Sequence, residues 1–213
     1  MAQAFLLDLG RCIGCQACVV SCKTGNELQQ GTAYIELIEQ VRGTFPDLEG
    51  GFDNHRCLHC GDAACVSVCP TGALYKPKKM NPLKCIPYNT YYAPGITAME
   101  LREPMGRWVY GCDRCQAVCP RNESWMNQVL PDNPPLMERA GDFQPEVLLT
   151  MSQDHYENKV WPLMFYIPKE NIGKWKMNAA RSLGNSGDDS HVPILAQTLS
   201  DNPDEAVRGM CAW

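Results

Sequence analysis

The chain has 213 residues, 45% hydrophobic and 20% charged, the make-up of an ordinary globular protein. Its formal net charge is −5, so general nucleic-acid binding, which calls for an excess of Lys and Arg, is not expected. No apolar run is long enough to span a bilayer, and the opening MAQAFLLDLGRC lacks the basic leader and cleavage site of an export signal, so a cytoplasmic protein without direct membrane insertion is expected.

Residues 1–10 predict a strand, with Phe5, Leu7 and Leu9 alternating imperfectly against Ala4, Leu6 and Asp8. It leads into Cys12-Ile-Gly-Cys15-Gln-Ala-Cys18-Val-Val-Ser-Cys22, a C-x2-C-x2-C-x3-C spacing. Three thiolates from one tight loop wrap one face of a 4Fe–4S cube, while a fourth on the following helix points to a neighbouring cluster. Gly14 lets the backbone pass close to the inorganic core. Tyr34 to Ile38 alternates as a half-buried hairpin strand, and the Gly- and Asp-rich stretch from Phe45 to Asn54 predicts a loop.

A second block follows as Cys57-Leu-His-Cys60-Gly-Asp-Ala-Ala-Cys65-Val-Ser-Val-Cys69-Pro70. Pro70 fixes the chain direction after the last ligand. His55 and His59 flank Cys57, in reach of tuning a cluster with pH, although a surface histidine is the commoner case. Lys76, Lys78, Lys79 and Lys84 read as a solvated loop that offsets cluster charge. The third block, Cys112-Asp-Arg-Cys115-Gln-Ala-Val-Cys119-Pro120, is one cysteine short, and Cys85 completes it from upstream. Between them, residues 86–110 form a long insertion whose Tyr88, Tyr91 and Tyr92 are expected to pack over the cluster and exclude water.

Thirteen cysteines in all raise two rivals. A disulfide framework suits neither the odd count nor a chain this long. Zinc sites draw two close cysteines and two distant ligands, whereas three or four crowd together in each block. Three 4Fe–4S clusters held by twelve cysteines are therefore expected, with Cys211 left as a small buried apolar residue. Four thiolates leave each oxidised cube at −2, which would take the loaded chain to about −11.

Fourth cysteines commonly serve the other cluster. Cys57, Cys60 and Cys65 would then take Cys119, and Cys85, Cys112 and Cys115 would take Cys69. Cys12, Cys15, Cys18 and Cys22 would share one cluster; an exchange that uses Cys22 and Cys119 differently is the alternative.

Prolines 131, 134, 135, 145, 162 and 168 suggest an extended arm over 131–168, its Trp161–Ile167 stretch either an interface or buried within the chain. Lys169 to Leu183 predicts a helix with Ile172, Trp175, Ala179 and Leu183 on one stripe, ended by Gly184-Asn185. Ser190 with Pro193 starts a second helix, and Asn202, Pro203 and Glu205 a third. The expected fold is α+β: a ferredoxin-type multi-cluster 4Fe–4S domain over 1–125, a proline-rich arm over 126–168 and a helical tail over 169–213.

Two likenesses divide the chain. RCIGCQACVVSCKTGNEL and HRCLHCGDAACVSVCPTGALYK resemble the iron–sulfur beta-type subunits of molybdenum and tungsten oxidoreductases. Such subunits carry four cysteine motifs against three in this chain, which is also similar to the small subunits beside aldehyde-oxidoreductase-type tungsten enzymes such as class II benzoyl-CoA reductase. NPLKCIPYNTYYAPGITAMELREPMGRWVYGCDRCQAVCPRN resembles the second cluster segment of epoxyqueuosine reductases, and the tail resembles the HEAT-type repeats that end them. That likeness implies Cys69 as the partner of Cys85, Cys112 and Cys115. The corrinoid-binding catalytic domain of those enzymes has no counterpart, block one standing in its place.

The expected function is therefore an electron-transfer subunit of an anaerobic oxidoreductase complex, not an enzyme on its own. It would carry single electrons between a Mo/W-pterin catalytic subunit and a further redox partner in a hetero-oligomer, without nucleic acid. The alternatives are a reductase of the epoxyqueuosine-reductase class and a cluster-stabilised RNA-binding protein.

Overall fold

A computed structural model describes residues 8–25, 27–28, 33–57, 60–76 and 79–213, and for Trp125 the backbone alone. The chain forms two compact units, one running to Asp62 and the other from Ala63 to Trp213. Most of the strand expected over residues 1–10 lies outside the described residues, as do His59 and Lys78; Leu9–Arg11 is a single 3-10 turn capped by the Asp8 carboxylate.

In the first unit, helix α1 (Ala17–Gly25) carries Cys18 and Cys22. Strands β1 (Ile35–Thr44) and β2 (Asp47–Arg56) form an antiparallel hairpin with Ile35 opposite Arg56 and Thr44 opposite Asp47. The expected loop over 45–54 is therefore mostly strand. Gly50, Gly51 and Asp53 have poor strand propensity, but an unbroken ladder to β1 satisfies their backbone, so pairing overrides local preference. The hairpin leaves Val41, Phe45 and Leu48 exposed near its turn.

The second unit starts with the short helix α2 (Ala64–Ser67) around Cys65, then the small antiparallel pair β3 (Leu74–Lys76) and β4 (Lys79–Met80). Helices α3 (Ile86–Tyr91) and α4 (Met99–Arg102) follow Cys85, and α5 (Arg114–Ala117) carries Cys115. Beyond Cys119 come α6 (Glu123–Met126), α7 (Pro134–Met137), α8 (Pro145–Thr150) and α9 (Gln153–His155), which runs on into a wider π turn over Tyr156–Val160.

The segment whose prolines suggested an extended arm is thus helical in short pieces. Pro134 and Pro145 stand in first turns, where a missing N–H costs nothing because that donor is unpaired in any helix. Leu148, Leu149, Met151, Tyr156, Val160 and Ile167 are fully buried, so much of its apolar content lies within the chain.

Their partners are the last helices: α10 (Ile172–Gly184), α11 (Val192–Asp201) and α12 (Glu205–Cys211). α10 packs against α3, α8 and α12, and its Trp175, Met177, Ala179, Ala180 and Leu183 join Val207 and Met210 in the main core. A second, smaller core of Ile86, Leu101 and Met105 packs against Trp108 and Cys112.

The caps differ slightly from expectation. Asp188 caps the turn that enters α11, and Asp204, whose carboxylate accepts from Ala206 N (2.8 Å) and Val207 N (3.3 Å), caps α12. Alanine at Asp204 is expected to lower stability by about 1 kcal/mol, read as a small drop in the melting temperature. Among the described residues no helix is long and apolar enough to cross a membrane.

Candidate iron–sulfur sites

None of the thirteen cysteines is bridged in a disulfide. Among the described residues, no three His, Cys, Asp or Glu side chains gather as they would round one metal ion. Around zinc, arms of about 2.3 Å hold thiolates tightly together; a cube of four irons keeps them farther apart.

In the first unit, Cys12 and Cys15 lie in the loop before α1, with Cys18 and Cys22 on the helix. Gly14 has a positive φ of 68°, and a Cβ there would strike the Phe52 ring of β2. Gln16 also takes a left-handed φ, of 62°. The loop thus turns its backbone against the hairpin: the close neighbour that requires the glycine is the Phe52 ring, where the sequence suggested an inorganic core. Asn54 Nδ2 donates to Cys18 Sγ at 3.7 Å, a contact to sulfur that the cysteine pattern did not reveal. Cys57 and Cys60 lie at the end of this unit, Cys57 exposed and Cys60 partly covered.

In the second unit, α2 with Cys65 packs beside α5 with Cys115, and Cys119 follows α5. Cys69, Cys85, Cys112 and Cys115, from three stretches of chain, lie near enough for their charges to act on one another. Cys112 packs on the core that holds Ile86, next to Cys85. Thr90 on α3 accepts a hydrogen bond from Gly111 N at 3.2 Å, which ties the residue before Cys112 to the helix after Cys85. Leu74 N donates to Cys69 Sγ at 3.4 Å, and the Thr71 hydroxyl lies 3.8 Å from the same sulfur.

Burial raises the Cys85 thiol pKa, a hydrogen bond from the Tyr88 backbone opposes the rise, and neighbouring Cys69 and Cys112 add to it. Burial raises Cys115 as well, reinforced by Cys112, Cys85 and Cys69 and opposed by a backbone hydrogen bond. Ionisation of Cys85 and Cys115 is thus disfavoured where they stand, and positive charge beside them would relieve it. The iron of a 4Fe–4S cluster supplies that charge, and backbone N–H groups directed at sulfur suit its ligands. The four residues fit such a group.

Among the expected tyrosines, Tyr91 stacks on Tyr166 (5.7 Å) and tilts against Tyr110 (4.3 Å). Its hydroxyl fills the space that a Cβ on Gly111 would need, so it covers the chain beside Cys112. Burial is the main cause that pushes its phenol up to about 12. Tyr92 is largely exposed and shields little. Cys211 is partly buried, and burial pushes its thiol up to about 11, in line with an inert apolar role.

Sequence reasoning missed the polar face of α10. Lys174 Nζ donates to Ala93 O (2.6 Å), Asn178 Nδ2 to Thr90 O (3.0 Å) and Ser182 Oγ to Arg107 O (3.0 Å). Arg181 donates to Gly106 O (2.7 Å) and Trp108 O, and Asn185, just past the helix, to Arg102 O (2.7 Å) and Gly106 O (2.8 Å). Burial pulls the Lys174 ammonium down to about 8, with Arg181 adding to the shift, and burial lowers Arg181 to about 10.

A pH dependence follows. Lys174 holds its proton less firmly folded than unfolded, so its burial costs stability below pH 8, and that cost is relieved as pH rises towards 10.5. The relief is about 3 kcal/mol at most. Denaturant unfolding between pH 8 and 10 should show stability rising less steeply in Lys174→Met than in the parent.

Comparison with known proteins gives two lines of descent. Residues 56–122 match the family described as a 4Fe-4S double cluster binding domain, and residues 11–73 match a 4Fe-4S dicluster domain. The arsenate respiratory reductase iron–sulfur subunit ArrB of Shewanella sp. (strain ANA-3) is 33% identical over 131 residues, covering 62% of this chain and 47% of its own. Epoxyqueuosine reductase of Bacillus anthracis is 30% identical over 161 residues, covering 72% of this chain and 40% of its own. A solved epoxyqueuosine reductase, crystallised with a tRNA-Tyr epoxyqueuosine-modified stem loop, matches 78% of this chain and 45% of its own at a TM-score of 0.56 and 28% identity. The chain therefore spans about half or less of the length of these relatives.

Two expectations are corrected. A purely non-catalytic subunit is overturned by the fold, which over most of the chain is that of part of a catalytic enzyme. The exclusion of nucleic acid as a partner is overturned by the stem loop on the solved relative. Net charge is a sum over the whole surface, whereas a stem loop meets only a patch of it. The chain is a redox protein with iron–sulfur domains, related to the iron–sulfur subunits of several reductases and to epoxyqueuosine reductase.

Proposed function

We propose that the chain is the cluster-bearing part of a reductase of the epoxyqueuosine-reductase class, acting on a structured RNA. The observation that carries this reading is the span of the likeness. It covers 78% of the chain at a TM-score of 0.56, against 62% of the chain for ArrB. Three 4Fe–4S clusters would be held by Cys12, Cys15, Cys18, Cys22, Cys57, Cys60, Cys65, Cys69, Cys85, Cys112, Cys115 and Cys119. When bound, such clusters supply single electrons at potentials set by hydrogen bonds, charge and exposure.

The chain's own residues prepare those positions. Leu74 N and the Thr71 hydroxyl steady Cys69, Asn54 steadies Cys18, and Tyr91 keeps water from the chain beside Cys112. The domain division at 1–125, 126–168 and 169–213 belongs to this proposal, with the tail as the RNA-facing part.

A second reading is electron delivery to a molybdenum or tungsten enzyme. It is favoured by the 33% identity to ArrB, which exceeds the 30% to epoxyqueuosine reductase. Anaerobic native purification separates the two. Retention of a tRNA stem loop in a mobility-shift assay, with about twelve iron atoms per chain, supports the first. Stoichiometric molybdenum or tungsten without RNA retention would replace it with the second.

A further inference from the structure

We infer that α10, which carries no cysteine, is the positioning element of the Cys69–Cys85–Cys112–Cys115 site and sets the potential of the cluster held there. This rests on the reading of those four thiols as cluster ligands. The stretch from Ile86 to Gly111 joins two of them, Cys85 and Cys112, and contains Pro87, Pro94 and Pro104. Helices α3 and α4 and a few turn bonds, such as Ala93 N to Tyr88 O and Gly106 N to Glu103 O, fix parts of it, but its prolines cannot donate and the joints around those helices rest on little backbone bonding of their own.

α10 and the residue after it supply what the stretch lacks. Lys174, Asn178, Arg181, Ser182 and Asn185 recur at helical spacing along one face. Together they donate to the carbonyls of Thr90, Ala93, Arg102, Gly106, Arg107 and Trp108. Asn178 holds the carbonyl of the residue whose hydroxyl takes Gly111 N–H, one residue before Cys112. From α10 to the ligand there are thus two hydrogen bonds and one peptide link.

Packing alone does not account for this face. Lys174, Asn178, Arg181 and Ser182 are all buried. Among the described residues neither Lys174 nor Arg181 is paired with a carboxylate. Apolar side chains would cover the same surface without desolvating two cations. What they would not do is fix six carbonyls in one register. A register fixed in this way orients the peptide dipoles around Cys85 and Cys112, and the orientation of such groups tunes a cluster's potential.

The test is an anaerobic redox titration followed by electron paramagnetic resonance, with iron counted per chain. Cys85→Ser identifies the signal of this cluster by abolishing it. Arg181→Lys keeps the charge but loses the fork that reaches two carbonyls; Asn185→Ala loses two contacts at the helix end. Both are expected to shift the midpoint of that signal and leave the other signals in place. Val207→Ala is the control: it loosens the apolar packing between α10 and α12 but removes none of the donors that grip the stretch, and should leave every midpoint unchanged. Selective loss of that one cluster in both α10 variants, with the melting temperature no lower than in Val207→Ala, also supports the inference. Unchanged midpoints and iron in both variants, or an equal shift in Val207→Ala, overturn it. A parent chain without a Cys85-dependent signal overturns instead the ligand reading on which it rests.

Discussion

Serine at Cys85 is expected to remove one whole cluster, about four of some twelve iron atoms per chain, and with it one paramagnetic signal. Cys85 stands alone between a 3-10 turn and α3, with no second cysteine nearby in sequence to take its place. Its neighbours in space, Cys69 and Cys112, come from elsewhere in the chain. A hydroxyl is a much poorer ligand for iron than a thiolate, so three remaining thiols would hold an exposed, labile corner. Cys211→Ser is the contrast. That thiol packs beside the main core, and its replacement should leave the iron count unchanged. Iron analysis of the two variants prepared side by side decides the matter; equal iron in both would refute Cys85 as a ligand.

Trp175→Ala carries the other large effect, a loss of about 3–5 kcal/mol of stability. The indole is 1% exposed, lies parallel to the Tyr110 ring at 4.8 Å and meets the edge of Tyr156 at 6.5 Å. Removing it opens a cavity where α8, α10 and the stretch before Cys112 converge. A domain commonly has only about 5–15 kcal/mol in total, so the variant should unfold at much lower denaturant. Trp213, 42% exposed, should cost far less on the same change, within about 1 kcal/mol. Anaerobic denaturant curves of the two variants provide the comparison.

The iron–sulfur character was legible because cluster ligands announce themselves by local spacing, and two cluster-domain families match residues 11–73 and 56–122. Gly14 could be read as a place of close approach, but its neighbour, the Phe52 ring of β2, could not, because that strand was itself hidden. α10 was legible from Ile172, Trp175, Ala179 and Leu183, whose spacing gave its buried stripe and whose end fell at Gly184. β2 was not, because its strand character comes from pairing with β1 and not from Gly50 or Gly51. The helices between 134 and 160 were hidden by their prolines, which mark both arms and first turns. Lys174, Asn178 and Arg181 gave no signal at all. They look like the solvent face of a helix, and their partners lie 73 to 88 residues earlier.

The grip of α10 also has a consequence for the order of events during synthesis. Cys85, Cys112 and Cys115 leave the ribosome well before Asn185, and at about 5–20 residues per second that gap lasts roughly 4 to 15 s. Throughout it the carbonyls between Thr90 and Trp108 lack their donors. A nascent chain stalled after Cys119 would therefore present Cys69, Cys85, Cys112 and Cys115 without the frame that arranges them. Order at that site is therefore expected to follow the synthesis of α10.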